Sequence, residues 1–140
     1  MSDCILVVDD ESPIRQIMAG FLSEAGYSVI QAEDGGTAMA AVASHEPALV
    51  LLDVGMPGLT GWDVLGWMRR RVAHAGIPVI MMSGRDDDAS KAISWNLGCA
   101  WFLAKPFSQE SLTSIVRSVL AAHIAAAHTE ENTRVASTGS

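Results

Sequence analysis

Cys4-Ile5-Leu6-Val7-Val8-Asp9-Asp10 and Leu49-Val50-Leu51-Leu52-Asp53 are the two stretches that decide the fold. Each is a run of β-favouring apolar residues that ends in ionisable carboxylates. Runs of this kind, with no polar residue alternating through them, read as strands buried on both faces, as in parallel sheets covered by helices on each side. Open sheets of that class collect their ligands beyond the carboxyl ends of the strands. Asp9, Asp10 and Asp53 therefore converge on one rim as an oxygen-only pocket for a hard cation. Mg²⁺ suits it, because that ion takes a few protein oxygens and keeps its other positions for water or phosphate. The chemistry indicated is phosphate chemistry.

Working outward, further strands are expected at 28–32, 78–82 and 101–104, with helical patterns between them. In the first helix Ile14, Ile17, Met18, Phe21 and Leu22 make one stripe, behind Ser12 as N-cap and Pro13 in the first turn, with Gly26 just past the end. The last helix carries Leu112, Ile115, Val116, Val119, Leu120 and Ile124 after Ser108. Shorter helices fit 35–45 (Ala38 and Val42 inward), 60–70 (Leu65 and Met68 inward) and 88–97 (Ala89, Ile93 and Leu97 inward). Five βα units with right-handed crossovers make an α/β domain built on a five-stranded, parallel, doubly wound sheet. That domain is expected over residues 1–127. From His128 the apolar periodicity is lost, so 128–140 reads as a disordered tail or a severed linker.

The chain has 140 residues, 49% of them hydrophobic, enough for one domain with a full core. A net charge of −7 argues against binding a nucleic-acid backbone, and Arg69-Arg70-Arg71, the one basic run, reads as the solvated end of a helix. Cys4 and Cys99 are too few for a disulfide scaffold, the apolar stretches are too short to span a membrane, and no signal-peptide pattern opens the chain. A cytoplasmic setting is expected. His45, His74, His123 and His128 lack ligand spacing, and Asp86-Asp87-Asp88 reads as an acidic first turn for the fourth helix. Trp67 and Trp95 fall roughly opposite Leu65 and Ile93 on their helices, so each should lie against a neighbouring helix or face a partner. Trp62 and Trp101 find no clear place.

Two more strands end in polar residues: Ser83 follows Val79-Ile80-Met81-Met82, and Lys105 follows Trp101-Phe102-Leu103-Ala104. The rim then holds a carboxylate able to accept a phosphoryl group, acids for a metal, and a hydroxyl and an ammonium to receive phosphoryl oxygens. Taken in order, Val8-Asp9-Asp10-Glu11, Leu51-Leu52-Asp53-Val54-Gly55-Met56-Pro57-Gly58 with Gly61 beyond, Met82-Ser83-Gly84 and Lys105-Pro106-Phe107 make the chain, over residues 3 to about 126, similar to a response-regulator receiver domain of two-component signalling.

The resemblance implies a flavodoxin-like (βα)5 fold with strand order 2-1-3-4-5. It implies that Asp53 accepts a phosphoryl group from a histidine kinase or a histidine phosphotransfer protein. It assigns Mg²⁺ to Asp10, Asp53 and the Gly55 carbonyl, with Asp9 acting through water, and gives Lys105 and Ser83 to the phosphoryl oxygens. Ser83 and Phe102 become the switch pair, and the peptide bond before Pro106 is cis. Output is expected through the fourth helix, fifth strand and fifth helix, to a downstream protein or a second copy. Phe102 lacks the hydroxyl of the tyrosine many members carry there. Gly55 and Arg85 occupy the two positions that tune dephosphorylation in the family. The role implied is a phosphoacceptor that assists its own phosphorylation and dephosphorylation rather than a turnover enzyme. Aspartate-nucleophile phosphatases carry a second Asp two residues on, where this chain has Gly55; a phosphate shuttle or sink is the other alternative. Crowding of three acids against one Lys105 also predicts at least one raised carboxylate pKa.

Overall fold

The computed structural model describes residues 4–84 and 88–138, with side chains as far as residue 126. Five parallel strands, β1 (Cys4–Val8), β2 (Ser28–Ala32), β3 (Leu49–Asp53), β4 (Val79–Ser83) and β5 (Trp101–Ala104), form one sheet in the order β2-β1-β3-β4-β5. Between and after them run α1 (Ser12–Glu24), α2 (Gly35–His45), α3 (Gly61–Arg69), α4 (Asp88–Asn96) and α5 (Gln109–Thr138). This is the flavodoxin-like α/β fold.

Side chains along a strand alternate between faces, so the sheet carries two cores. Leu6, Val8, Val50, Leu52 and Met81 pack against α2 and α3 through Ala38, Val42, Val64, Leu65 and Met68. Ile5, Val7, Leu49, Leu51 and Met82 pack against α1 and α5 through Met18, Leu22, Leu112 and Val116. Burial on both faces is why the central strands β1, β3 and β4 read as unbroken apolar runs, whereas the edge strands β2 and β5 stay partly exposed. The register pairs Val8 with Leu52, Asp53 with Met82 and Ser83 with Ala104. The polar residue that ends each run therefore reaches the same rim.

Several local readings change. The N-cap of α1 is Glu11, whose side chain makes no capping bond; Ser12 is already helical, and its hydroxyl accepts from Gln16 instead. Leu97, just past the end of α4, is half-buried against the core as expected, but Ala89 and Ile93 do not face inward. Ser90 and Ser94 do, and Ile93 is 41% exposed. On so short a helix the few apolar residues gain little burial, and a hydrogen bond offered by Trp62 decides which side docks. Arg85, Asp86 and Asp87 lie outside the described residues; Asp88 stands in the first turn of α4. The backbone of α5 runs on to Thr138, past residue 127 where a tail without order was expected. Ala125, Ala126, Ala127, Glu130 and Glu131 are good helix formers and carry the helix without any apolar stripe.

Candidate functional site

A cleft of about 510 Å³ opens at the carboxyl ends of the strands, bordered by Asp10, Glu11, Asp53, Gly55, Ser83 and Lys105, with Thr60, Trp62 and Ser90 further out. Asp9 follows β1 and is fully buried; Asp53 ends β3 and is 6% exposed; Ser83 ends β4 and is buried; Asp10 is exposed. The carboxylates of Asp9, Asp10 and Asp53 each offer an oxygen within 4.8 Å of the others. Lys105, just past β5, brings its Nζ to 2.7 Å from Asp9 Oδ2 and 3.4 Å from Asp53 Oδ1. Asp10, Asp53, Ser83 and Lys105, together with Gly55, thus border one space, with Asp9 buried directly behind it.

The two buried acids are held differently. Asp9 Oδ1 accepts from the Glu11 backbone N–H at 2.9 Å, its carbonyl accepts from Arg15 Nη1 at 2.8 Å, and its Oδ2 is taken by Lys105. Asp53 has only longer contacts, from Lys105 and from the Gly55 N–H at 3.4 Å. Asp9 is the anchored acid and Asp53 the one left facing the cleft. The backbone beneath Asp53 is set by Gly61, the first residue of α3. Its N–H donates to the Val54 carbonyl at 3.1 Å, and a Cβ in its place would overlap the Asp53 carbonyl oxygen. Lys105 is placed by its own N–H, which donates to the Ser83 carbonyl at 2.8 Å, and the Lys105–Pro106 bond is cis.

Burial is the largest influence on the Asp53 carboxyl and raises its pKa; the Lys105 charge opposes this and the neighbouring Asp9 charge adds to it. Repulsion among the acids, expected from the sequence, is therefore a secondary cause. For Lys105, burial by itself would lower the pKa. The hydrogen bond to Asp9 and the charges of Asp53 and Asp9 together outweigh it, and the net shift is upward. A raised acid beside a raised base looks contradictory for an ion pair, but the distances resolve it. Lys105 pairs chiefly with Asp9, leaving the burial of Asp53 only partly compensated. Such a carboxylate gains from a cation, and the oxygen-only donors suit a hard one.

The aromatic residues divide. Phe102 is half-buried and packs on the α2 and α3 side of the sheet. Trp67 is half-buried under the His74 ring at 5.2 Å, with the Arg71 guanidinium 5.0 Å from its centroid, so it is packing rather than a free partner surface. Trp95 and Trp101 are both exposed and meet edge to face at 6.1 Å. Trp62, which found no place from the sequence, lines the cleft and donates to Ser94 Oγ at 3.0 Å. Its one sequence signal was its place directly after Gly61.

A family model described as the response regulator receiver domain matches residues 5–117. The chain belongs to the response-regulator receiver family. This receiver is 35% identical over 127 residues to the transcriptional regulatory protein KdpE of Mycobacterium tuberculosis, covering 91% of this chain and 55% of that protein. It is 34% identical over 116 residues to the phosphate regulon transcriptional regulatory protein PhoB of Pseudomonas aeruginosa, covering 83% and 51%. The receiver spans about half the length of these curated relatives. Among solved structures, the chemotaxis protein CheY4 of Vibrio cholerae superposes with a TM-score of 0.81 at 29% identity, covering 85% of this chain and 99% of that one. NtrX of Brucella abortus does so with a TM-score of 0.87 at 32% identity, covering 94% of this chain and 29% of that one. Receivers of this family are signalling domains of two-component systems. Among the described residues no helix is long and apolar enough to cross a membrane.

Proposed function

We propose that this receiver accepts a phosphoryl group on Asp53 in a Mg²⁺-dependent reaction, from a histidine kinase or a histidine phosphotransfer protein, and changes conformation to signal onward from the cytoplasm. The observation that carries this reading is the grouping of Asp9, Asp10 and Asp53 within 4.8 Å, with Lys105 Nζ 3.4 Å from Asp53 Oδ1. A carboxylate oxygen of Asp53 attacks the phosphorus of the donor's phosphohistidine; the new O–P bond forms as the P–N bond breaks, and the imidazole leaves. Asp10, Asp53 and the Gly55 carbonyl would hold Mg²⁺, with Asp9 acting through water, and the ion would supply positive charge to offset the three acids as an anionic phosphoryl group approaches. Lys105 stays a cation in its carboxylate surroundings and receives one phosphoryl oxygen; Ser83, at the end of β4, donates to another. Gly55 leaves no second acid two residues after Asp53, which favours a self-limiting phosphoacceptor over a phosphatase.

The donor's histidine must reach Asp53, so its protein docks beside the cleft. An apolar groove of about 430 Å³ between Ile14, Ile17 and Phe21 of α1 and Lys105-Pro106-Phe107 adjoins the site there and fits that role. Output goes through α4, β5 and α5 to a downstream protein or a second copy. The exposed Ile93, Trp95 and Trp101 and a groove of about 410 Å³ between Trp101, Ile115 and Val119 support this face. Residues 1–127 act as the receiver proper, with 128–140 as a tail or linker, and neither nucleic acid nor membrane is a partner of this domain.

Intact mass after incubation with Mg²⁺ and acetyl phosphate should show one added phosphoryl group. Asp53→Asn should abolish it with an unchanged circular dichroism spectrum; full labelling of that variant would remove Asp53 from its role. Mg²⁺ should raise the melting temperature, as any ligand of the native state does. Asp10→Ala should melt higher than the unsubstituted chain without metal and respond less to Mg²⁺. An undiminished metal response would separate the three acids.

A further inference from the structure

α4 is docked by its polar side. Ser94 is fully buried and Ser90 nearly so, while Ile93 and Trp95 point to solvent. Facing the serines is Trp62, the second residue of α3, which shares the wall of the acceptor cleft with Ser90. The indole Nε1–H donates to Ser94 Oγ at 3.0 Å, and the Ser94 hydroxyl donates in turn to the Ser90 carbonyl at 2.9 Å. Two hydrogen bonds in series therefore join the helix that follows the Asp53 strand to the helix that follows the Ser83 strand.

The indole end of this link is a fixed post. A reciprocal capping box between Thr60 and Asp63 locks the first turn of α3, and Gly61 is pressed against the Asp53 backbone. The α4 end is the movable one. A phosphoryl oxygen that takes a hydrogen bond from Ser83 draws the end of β4 toward Asp53, and α4 follows from that end. Apolar contacts slide under such a displacement. A hydrogen bond does not, because it weakens steeply once distance and angle depart from a narrow range.

We infer that the Trp62–Ser94 hydrogen bond is a latch that holds α4 in its resting position and breaks when the acceptor is phosphorylated. Trp62 and Ser94 are then positioning residues: they set how readily the receiver switches, acting through α4 rather than by contact with metal or phosphoryl group. This inference rests on Asp53 as the acceptor. Where one conformer must be left for another, the interaction that stabilises the first reduces apparent affinity for a ligand of the second.

The test uses the full chain with Mg²⁺ and beryllofluoride, a phosphoryl mimic. Ser94→Ala and Trp62→Phe should each bind beryllofluoride roughly three- to tenfold more tightly than the unsubstituted chain, the factor one hydrogen bond is worth in an equilibrium constant. The double variant should bind no more tightly than either single one, since both remove the same bond. Affinity for Mg²⁺ without beryllofluoride should stay the same in Ser94→Ala, whose side chain lies outside the cleft. In ¹H–¹⁵N spectra the Trp62 indole resonance, identified by its loss in Trp62→Phe, should shift and exchange faster with water when beryllofluoride binds. In Ser94→Ala it should already lie at the released position. Equal or weaker beryllofluoride binding by Ser94→Ala, additive effects in the double variant, or an unmoved Trp62 indole in the liganded chain would each overturn the latch and leave Asp53 as acceptor. Failure of the unsubstituted chain to bind beryllofluoride would overturn the acceptor reading and the latch with it.

Discussion

α1 and α4 border the same cleft from opposite faces of the sheet, and they are held there by opposite means. α1 buries Met18 and Leu22 under β1 and β3, with Ile14 and Phe21 packed beside them. α4 buries Ser90 and Ser94 and leaves Ile93 and Trp95 outside. Burial of an aliphatic side chain is worth about 1.5–3 kcal/mol, whereas a hydrogen bond nets about 1 kcal/mol. The α1 wall, which carries Arg15 to the Asp9 carbonyl, is therefore a rigid support for the acids. The α4 wall is the one a small change of charge can move. A second anchor lies at the far end of α4, where Arg69 donates to the Gly98 carbonyl at 2.9 and 3.1 Å and to the Ala75 and Ile77 carbonyls at 3.1 and 2.9 Å. α4 is thus pinned after its C-terminus and latched along its side, with little apolar grip between.

The largest effect should come from the α1 side. Leu22→Ala leaves a cavity in a fully buried site and should cost about 3 kcal/mol in urea denaturation, within the range of such truncations. A cost under about 1 kcal/mol would erase the contrast between the helices. Arg69→Met should come next, at about 2 kcal/mol, because it strands three carbonyls that the guanidinium now serves. Hydrogen exchange should quicken at the turn after α4 and stay slow in α1. Equal quickening in both would mean that the helices are not anchored separately.

The cleft charge between the two walls gives a smaller effect with a definite sign. The folded pKa of Asp53 is raised, chiefly by burial, so this group favours folding below its unfolded pKa and that contribution is lost as pH rises through the folded value. At neutral pH without metal, Asp53→Asn should melt a few degrees higher, given that 1 kcal/mol moves the midpoint of a domain this size by roughly 3–6 °C. The advantage should shrink as pH falls toward the ordinary carboxylate range. A lower midpoint for the variant at pH 7 would reverse the assigned balance between burial and the Lys105 charge. The smallest effect belongs to Ile93→Ala, which trims a residue already 41% exposed and should cost less than about 1 kcal/mol. A loss as large as that of Leu22→Ala would show that α4 has an apolar grip after all.

What the sequence by itself determined was everything written into strands. Parallel strands covered on both faces must be apolar throughout, so the polar residue that ends each one marks the rim directly; Asp9, Asp53, Ser83 and Lys105 could be placed without knowing any distance. α1 was legible for a related reason, since thirteen residues with one apolar stripe can dock in only one orientation. Only the tertiary structure decided which acid Lys105 pairs with, because that turns on a difference between 2.7 and 3.4 Å across strands distant in sequence. It also decided the face of α4. Nine residues whose four apolar positions, Ala89, Ala92, Ile93 and Trp95, make no buried stripe specify no docking side, and the choice fell to Trp62, a residue 32 positions away whose indole offers a hydrogen bond to Ser94. The long α5 was settled in the same way from the other direction. Helix propensity carries its backbone past Ile124, the last residue of the apolar stripe, where periodicity had suggested an end, because a helix needs no partner face to satisfy its own hydrogen bonds.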